Sequence, residues 1–131
     1  RFVGNRTYQS PIEPHAALAR WEPHGPRLTL WTATQVPHYV QHQMSRLLGI
    51  PEGDIRVVMT HCGGGFGGKA EVNPLEICSA LISRKTGKPV KMRYTREEMV
   101  RHGRGRHKQH VKMKIGARKD GTITAANASK S

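Results

Sequence analysis

The residues best suited to chemistry in this chain are the run GGGFGGK at positions 63–69. Six of these seven residues are Gly or Lys, so the backbone can take dihedrals closed to other residues and approach a ligand closely. Amides exposed in such a loop make an anion site, and a tight structural turn is the plainer alternative. The spacing G-x-x-x-x-G-K is met, yet Ala70 follows where a nucleotide-binding loop needs a Ser or Thr hydroxyl for magnesium. Phe66 also places a large ring where such a loop would wrap a triphosphate. An ordinary ATPase is therefore disfavoured.

Other candidates are weaker. Gln35, in TQVPHYVQ, can cap local backbone or offer its amide NH₂ to an oxygen ligand, and spacing alone favours the cap. His38 and His42 stand four apart on an expected helix, but Tyr39 replaces the Glu of a metalloprotease pattern, so exposed polar residues are the expectation. No G-x-S-x-G elbow is present, and the only close carboxylate pair is Glu97 with Glu98. The run RHGRGRHK at 101–108 could grip phosphates. A basic nucleic-acid-binding module built on it is the competing function, although aromatics are only 5% of the chain and base stacking needs them.

These residues must be held by a body of modest size. At 131 residues the chain is long enough to bury a core as one domain. Hydrophobic residues are 36% by a set that leaves out the 14 glycines, which disfavours wholesale disorder. Lys and Arg outnumber acids 22 to 9, a formal charge of +13 that points to an anionic partner. No apolar run is long enough to span a bilayer, and a cytoplasmic location is expected. The absence of an initial Met suggests a cut from a longer protein. Cys62 and Cys78 are expected to be buried free thiols.

The element pattern reads as α+β. Ala16–Trp21 and Leu28–Thr32 read as a hairpin around Pro23, His24, Gly25 and Pro26. A helix follows from about residue 38 to 48, capped by Gly49. Residues 55–60 read as a buried strand running into the glycine loop. Leu75, Cys78, Leu81 and Ile82 form the apolar stripe of a second main helix closed by Gly87. Residues 90–94 make a short strand, and Thr95 with Glu98 fits a capping box. From Val111 the chain alternates as a strand with one wet face, turning at Asp120 and Gly121 into a partner over residues 122–129.

Taken together, ATQVPHYVQ, RLLGIPEGDIRVV, GGGFGGK and TGKPVKMRYTREE resemble, in order and over nearly the whole chain, the molybdenum-binding large subunit of the xanthine oxidase family. The resemblance implies that residues 1–131 are part of a single molybdopterin-binding domain, with mixed sheet strands and two main helices. It implies a molybdenum hydroxylase that hydroxylates or dehydroxylates an aromatic, heterocyclic or aldehyde substrate. The cofactor would be molybdopterin in a dinucleotide form, with iron–sulfur clusters and FAD on partner domains or subunits. Carried over by position, Gln35 contacts an oxo ligand of molybdenum and Phe66 is the aromatic of the loop. Gly64, Gly65, Gly67 and Gly68 complete the cofactor-binding set, Gly65 and Gly67 through their amides. A valine at Gly67 is expected to damage the site by intruding where backbone must approach.

No catalytic residue is expected within this piece, because the family's glutamate base lies farther along the subunit. Ala70 stands where purine-oxidising members carry a substrate-binding glutamate, which makes xanthine a poorer substrate guess. The tract REEMVRHGRGRH is most similar to the 4-hydroxybenzoyl-CoA reductase branch, whose substrate is a CoA thioester. Phosphates on such a substrate or cofactor would give the positive charge a purpose.

Overall fold

The computed structural model describes residues 2–22, 24 and 27–130. Its architecture is α+β. The chain divides into two compact units: Gln9–Arg104, and a second that joins residues up to Tyr8 with those from Gly105 onward.

The larger unit is built on a hairpin. β3 (Ala16–Trp21) and β4 (Leu28–Thr32) pair antiparallel, from Ala17 opposite Thr32 to Trp21 opposite Leu28. Of the expected turn residues, Pro23, Gly25 and Pro26 lie outside the described residues, while Glu22 N–H donates to the Arg27 carbonyl at 2.9 Å. Helix α1 (Pro37–Leu48) has proline in its first turn, where no intrahelical donor is required, and ends at Gly49 with φ 65°. A crossover through α1 lets β5 (Ile55–Met59) pair parallel to β4. With β6 (Val90–Arg93) on the far side of β3, the strand order is β5-β4-β3-β6. Leu28, Leu30, Ala17 and Ala19 from the sheet join Val40 and Met44 of α1 in one buried cluster.

Two expectations change here. β5 is an edge strand with only Ile55 buried, so its apolar run does not mark a buried strand. Helix α2 (Pro74–Thr86) buries Leu75, Glu76, Ser79, Ala80 and Ser83, whereas Cys78, Leu81 and Ile82 of the expected stripe are exposed. The reason is that small and hydrogen-bonded side chains let this helix lie close to the sheet. Ser83 Oγ donates to the Lys88 carbonyl at 2.8 Å, and Trp21 Nε1 donates to the Ala80 carbonyl at 2.6 Å. Glu76 Oε1 accepts from Thr32 Oγ1 at 2.5 Å and lies 3.1 Å from His15 Nε2, while Oε2 accepts the Asn73 amide at 2.6 Å. A buried carboxylate satisfied in this way can replace a hydrophobic residue. Cys78, like Cys62, is a free and exposed thiol rather than a buried one.

Helix α3 (Arg96–His102) starts with the expected capping box: Thr95 Oγ1 accepts the Glu98 amide at 3.2 Å, and Glu98 Oε2 accepts the Thr95 amide at 2.7 Å.

In the smaller unit, β1 (Phe2–Gly4), β8 (Gln109–Ala117) and β9 (Ile123–Lys130) form a sheet of order β1-β8-β9. β2 (Thr7–Tyr8) and β7 (Gly105–Arg106) pair separately. The hairpin turns through Gly121 at φ 88°, with Asp120 Oδ1 accepting the Thr122 amide. Register places Phe2, Val111, Met113 and Ile115 on one face and His110, Lys112 and Lys114 on the other. The expected alternation is present, and within these 131 residues Met113 and Ile115 are 49% and 52% exposed. Among the described residues, no helix is long and apolar enough to cross a membrane.

Candidate functional site

The glycine loop leaves the end of β5 and runs to α2, within the Gln9–Arg104 unit. Two of its glycines take left-handed dihedrals, Gly64 at φ 94° and Gly67 at φ 82°, which a side chain would oppose. Phe66, between them, has φ 50° and remains 72% exposed. Holding a non-glycine residue there costs about 1 kcal/mol or more, and an exposed ring in a strained turn points to a role outside the core. The loop tightens where Gly68 N–H donates to the Gly65 carbonyl at 2.7 Å.

Gln35, in the segment between β4 and α1, is brought against this loop. Its backbone N–H donates to the Lys69 carbonyl at 3.0 Å, and its Oε1 accepts the Gly67 N–H at 3.2 Å. Thr34 Oγ1 donates to the same Lys69 carbonyl at 3.3 Å. Gly65 lies so close that a Cβ added there would overlap the Gln35 carboxamide. Because Oε1 is engaged, the Gln35 Nε2 is left to donate, and among the described residues it has no acceptor. The same holds for the backbone amides of Gly64, Gly65 and Phe66.

The structure thus gathers Gln35, Gly64, Gly65, Phe66, Gly67 and Gly68. One detail differs from expectation. The Gly67 amide serves Gln35 instead of facing outward. Within this chain a side chain on Gly67 would meet no other atom, and the strain of φ 82° is a further reason for a valine to be opposed there.

The sequence reading took Lys69 as part of the loop and missed its partner, Glu13. Lys69 is fully buried, and its Nζ donates to Glu13 Oε2 at 2.6 Å. Burial disfavours the charged carboxylate of Glu13, but Lys69 and the Gly63 amide outweigh it and hold the group below the usual carboxylate range. The available signal was Lys69 itself: a lysine enclosed by a glycine loop requires a carboxylate, and Glu13 is the acid that precedes β3.

The remaining candidates do not assemble into sites. His42 Nδ1 lies 2.6 Å from Glu52 Oε1 rather than sharing a metal with His38, and among the described residues no three metal-ligating side chains cluster. In the basic run, Arg101 pairs with Glu97 at 2.6 Å and Arg104 pairs with Glu71, which reduces the charge available to phosphates.

Residues 1–130 match the model of a family described as molybdopterin cofactor-binding domain. The probable hypoxanthine oxidase XdhD of Escherichia coli strain K12 is 40% identical over 124 residues, covering 95% of this chain and 13% of that protein. The nicotinate dehydrogenase large molybdopterin subunit of Eubacterium barkeri is 38% identical over 114 residues, covering 87% of this chain and 26% of that protein. Quinoline 2-oxidoreductase from Pseudomonas putida 86 superposes with a TM-score of 0.91 at 33% identity, over 98% of this chain and 16% of that one. The chain therefore spans about a quarter or less of the length of these relatives.

Proposed function

The chain belongs to the molybdopterin cofactor-binding domain family, and on that premise we propose that it forms one wall of the cofactor site in the large subunit of a molybdenum-dependent oxidoreductase. The observation that carries this reading is the meeting of Gln35 with the glycine loop across 32 positions of sequence. The residues fit such a group. A Cβ at Gly65 would displace the Gln35 carboxamide, three loop amides lack a protein acceptor, and the Gln35 carboxamide is oriented with its NH₂ left over.

When bound, the group supplies a redox-active metal that exchanges electrons with the substrate. The chain's own part is to bind and orient. Gln35 Nε2 would be the donor offered to the bound group, and the amides of Gly64, Gly65 and Phe66 would be available to its anionic part. Gly67 fixes the Gln35 rotamer, Gly68 closes the turn, and the Phe66 ring lines the approach and excludes water. None of these residues carries a titratable side chain, so their part is to bind and orient rather than to move a proton.

The finer parts of the proposal are a dinucleotide form of the cofactor, iron–sulfur and flavin partners, and a small aromatic, heterocyclic or aldehyde substrate. The names of the relatives support the heterocyclic class, with hypoxanthine, nicotinate and quinoline among them. A CoA thioester rests on the tract REEMVRHGRGRH and on the basic balance of the chain. Two exposed free thiols accord with a reducing, cytoplasmic setting.

Elemental analysis of the complete, matured protein tests this reading, with molybdenum expected at one per large subunit. Gln35→Ala should lower metal retention or turnover by about 10–100-fold, the usual effect of losing a group that orients a metal's ligands. Pure, matured protein without molybdenum, or a Gln35→Ala variant with full metal content and turnover, would overturn it.

A further inference from the structure

One oxygen atom holds both ends of the glycine loop. Glu13 Oε2 accepts the Gly63 amide at 2.8 Å and the Lys69 Nζ at 2.6 Å, so the first and last residues of GGGFGGK converge on a single carboxylate. The Glu13 amide donates back to the Gly63 carbonyl at 3.3 Å. Contact is close enough that a Cβ on Gly63 would lie 2.7 Å from the Cβ of Glu13. The segment carrying Glu13 is itself fixed: Arg96 donates from its two terminal nitrogens to the carbonyls of Pro11 at 2.7 Å and Ile12 at 2.6 Å. Glu13 and Arg96 make no hydrogen bond to Gln35 or to the amides of Gly64, Gly65 and Phe66, so the proposed chemistry gives them no part.

We propose that Glu13 is a positioning residue that closes the glycine loop by bridging Gly63 and Lys69, with Arg96 holding the segment from which it acts. The bland alternative is that Glu13 only neutralises a buried lysine. The two differ in what happens when the lysine is removed. If neutralisation is the whole role, a chain without the Lys69 charge has no use for Glu13. If Glu13 positions the loop, its bond to the Gly63 amide still matters without Lys69, because that bond ties the loop entrance to a clamped segment.

Hydrogen exchange of peptides covering residues 60–70 in the complete protein separates these readings, with a β3–β4 peptide as the control for global unfolding. Glu13→Ala removes both bonds, and the loss at the Gly63 amide alone should speed loop exchange by about tenfold, as expected for one charge-assisted hydrogen bond, and leave the control unchanged. Lys69→Met alone should have a smaller effect, and Glu13→Ala combined with Lys69→Met should remain as loose as Glu13→Ala. Loop exchange at the original rate in Glu13→Ala overturns the proposal, and so does restored protection in the double variant.

Relevance to the cofactor rests on the function proposed above and is read separately, as molybdenum content. A loosened loop with full molybdenum leaves the positioning role standing and removes the loop from the cofactor wall. A loosened loop with reduced molybdenum supports both.

Discussion

The two units obey the same sequence rules and reach different results. Every buried residue among those described belongs to Gln9–Arg104, and the smaller unit has none, although β8 alternates apolar and basic side chains as regularly as any strand in the chain. Alternation orients side chains, but a core requires a second layer to cover the apolar face. In the larger unit β3 and β4 have such layers in α1 and α2. The glycine loop grows from that covered sheet, which is why it can hold strained residues such as Phe66: a rigid base over-determines their conformation.

The comparison is most open to attack at its strongest point. Leu30 is fully buried on the central strand β4, and Leu30→Ala should destabilise the larger unit by about 2–5 kcal/mol. Native-state hydrogen exchange of the complete protein would show this as lost protection across β3 and β4. An effect confined to residues next to Leu30 would mean that the cluster is not one cooperative core.

Glu76 comes next. Glu76→Ala strands Thr32, His15 and the Asn73 amide, and leaving a buried polar group unsatisfied costs about 1–3 kcal/mol. The same exchange measurement should show loosening at the start of α2 and in β4. At the exposed end of the scale within this unit, Thr95→Ala removes the cap of α3 and should cost about 1 kcal/mol, seen as fraying of residues 96–102.

The Glu13 carboxylate makes a pH-dependent contribution local to the glycine loop, discounted because its side chain is 36% exposed. Its pKa is lowered on folding, so its stabilisation is fully present above the unfolded value of 4.5 and disappears as pH falls through the lower folded value. Protection of the 60–70 peptide should therefore survive at pH 4.5 and fade in more acidic solution. Fading that begins near neutral pH would contradict the direction of the shift.

What could be read from the sequence follows the same division. The hairpin, α1 and its Gly49 cap, and the Thr95–Glu98 box were legible because each is decided by residues close together in the chain. The glycine loop was legible as a backbone feature, and Gln35 only through resemblance, since its contact with Gly67 is made through tertiary folding. The face of α2 was misread because burial there follows hydrogen-bond satisfaction: Glu76, Ser79 and Ser83 turn inward while Leu81 and Ile82 turn out. Glu13 was invisible for a related reason. A single carboxylate in PIEPHA carries no pattern, and its meaning appears only when Lys69, 56 positions later, is buried beside it.

The smallest expected effect tests the other side of the comparison. Ile115 shares a face with Phe2, Val111 and Met113, yet is 52% exposed. Exposed apolar side chains away from special features tolerate substitution within about 0.5 kcal/mol, so in the 131-residue chain Ile115→Thr should change exchange in β8 and β9 very little. Threonine also keeps the β-branch that suits a strand, which isolates burial as the variable. A loss above about 1 kcal/mol would be of the size expected for a buried aliphatic side chain. It would show that this face is part of a core, and the contrast between the two units would then have to be withdrawn.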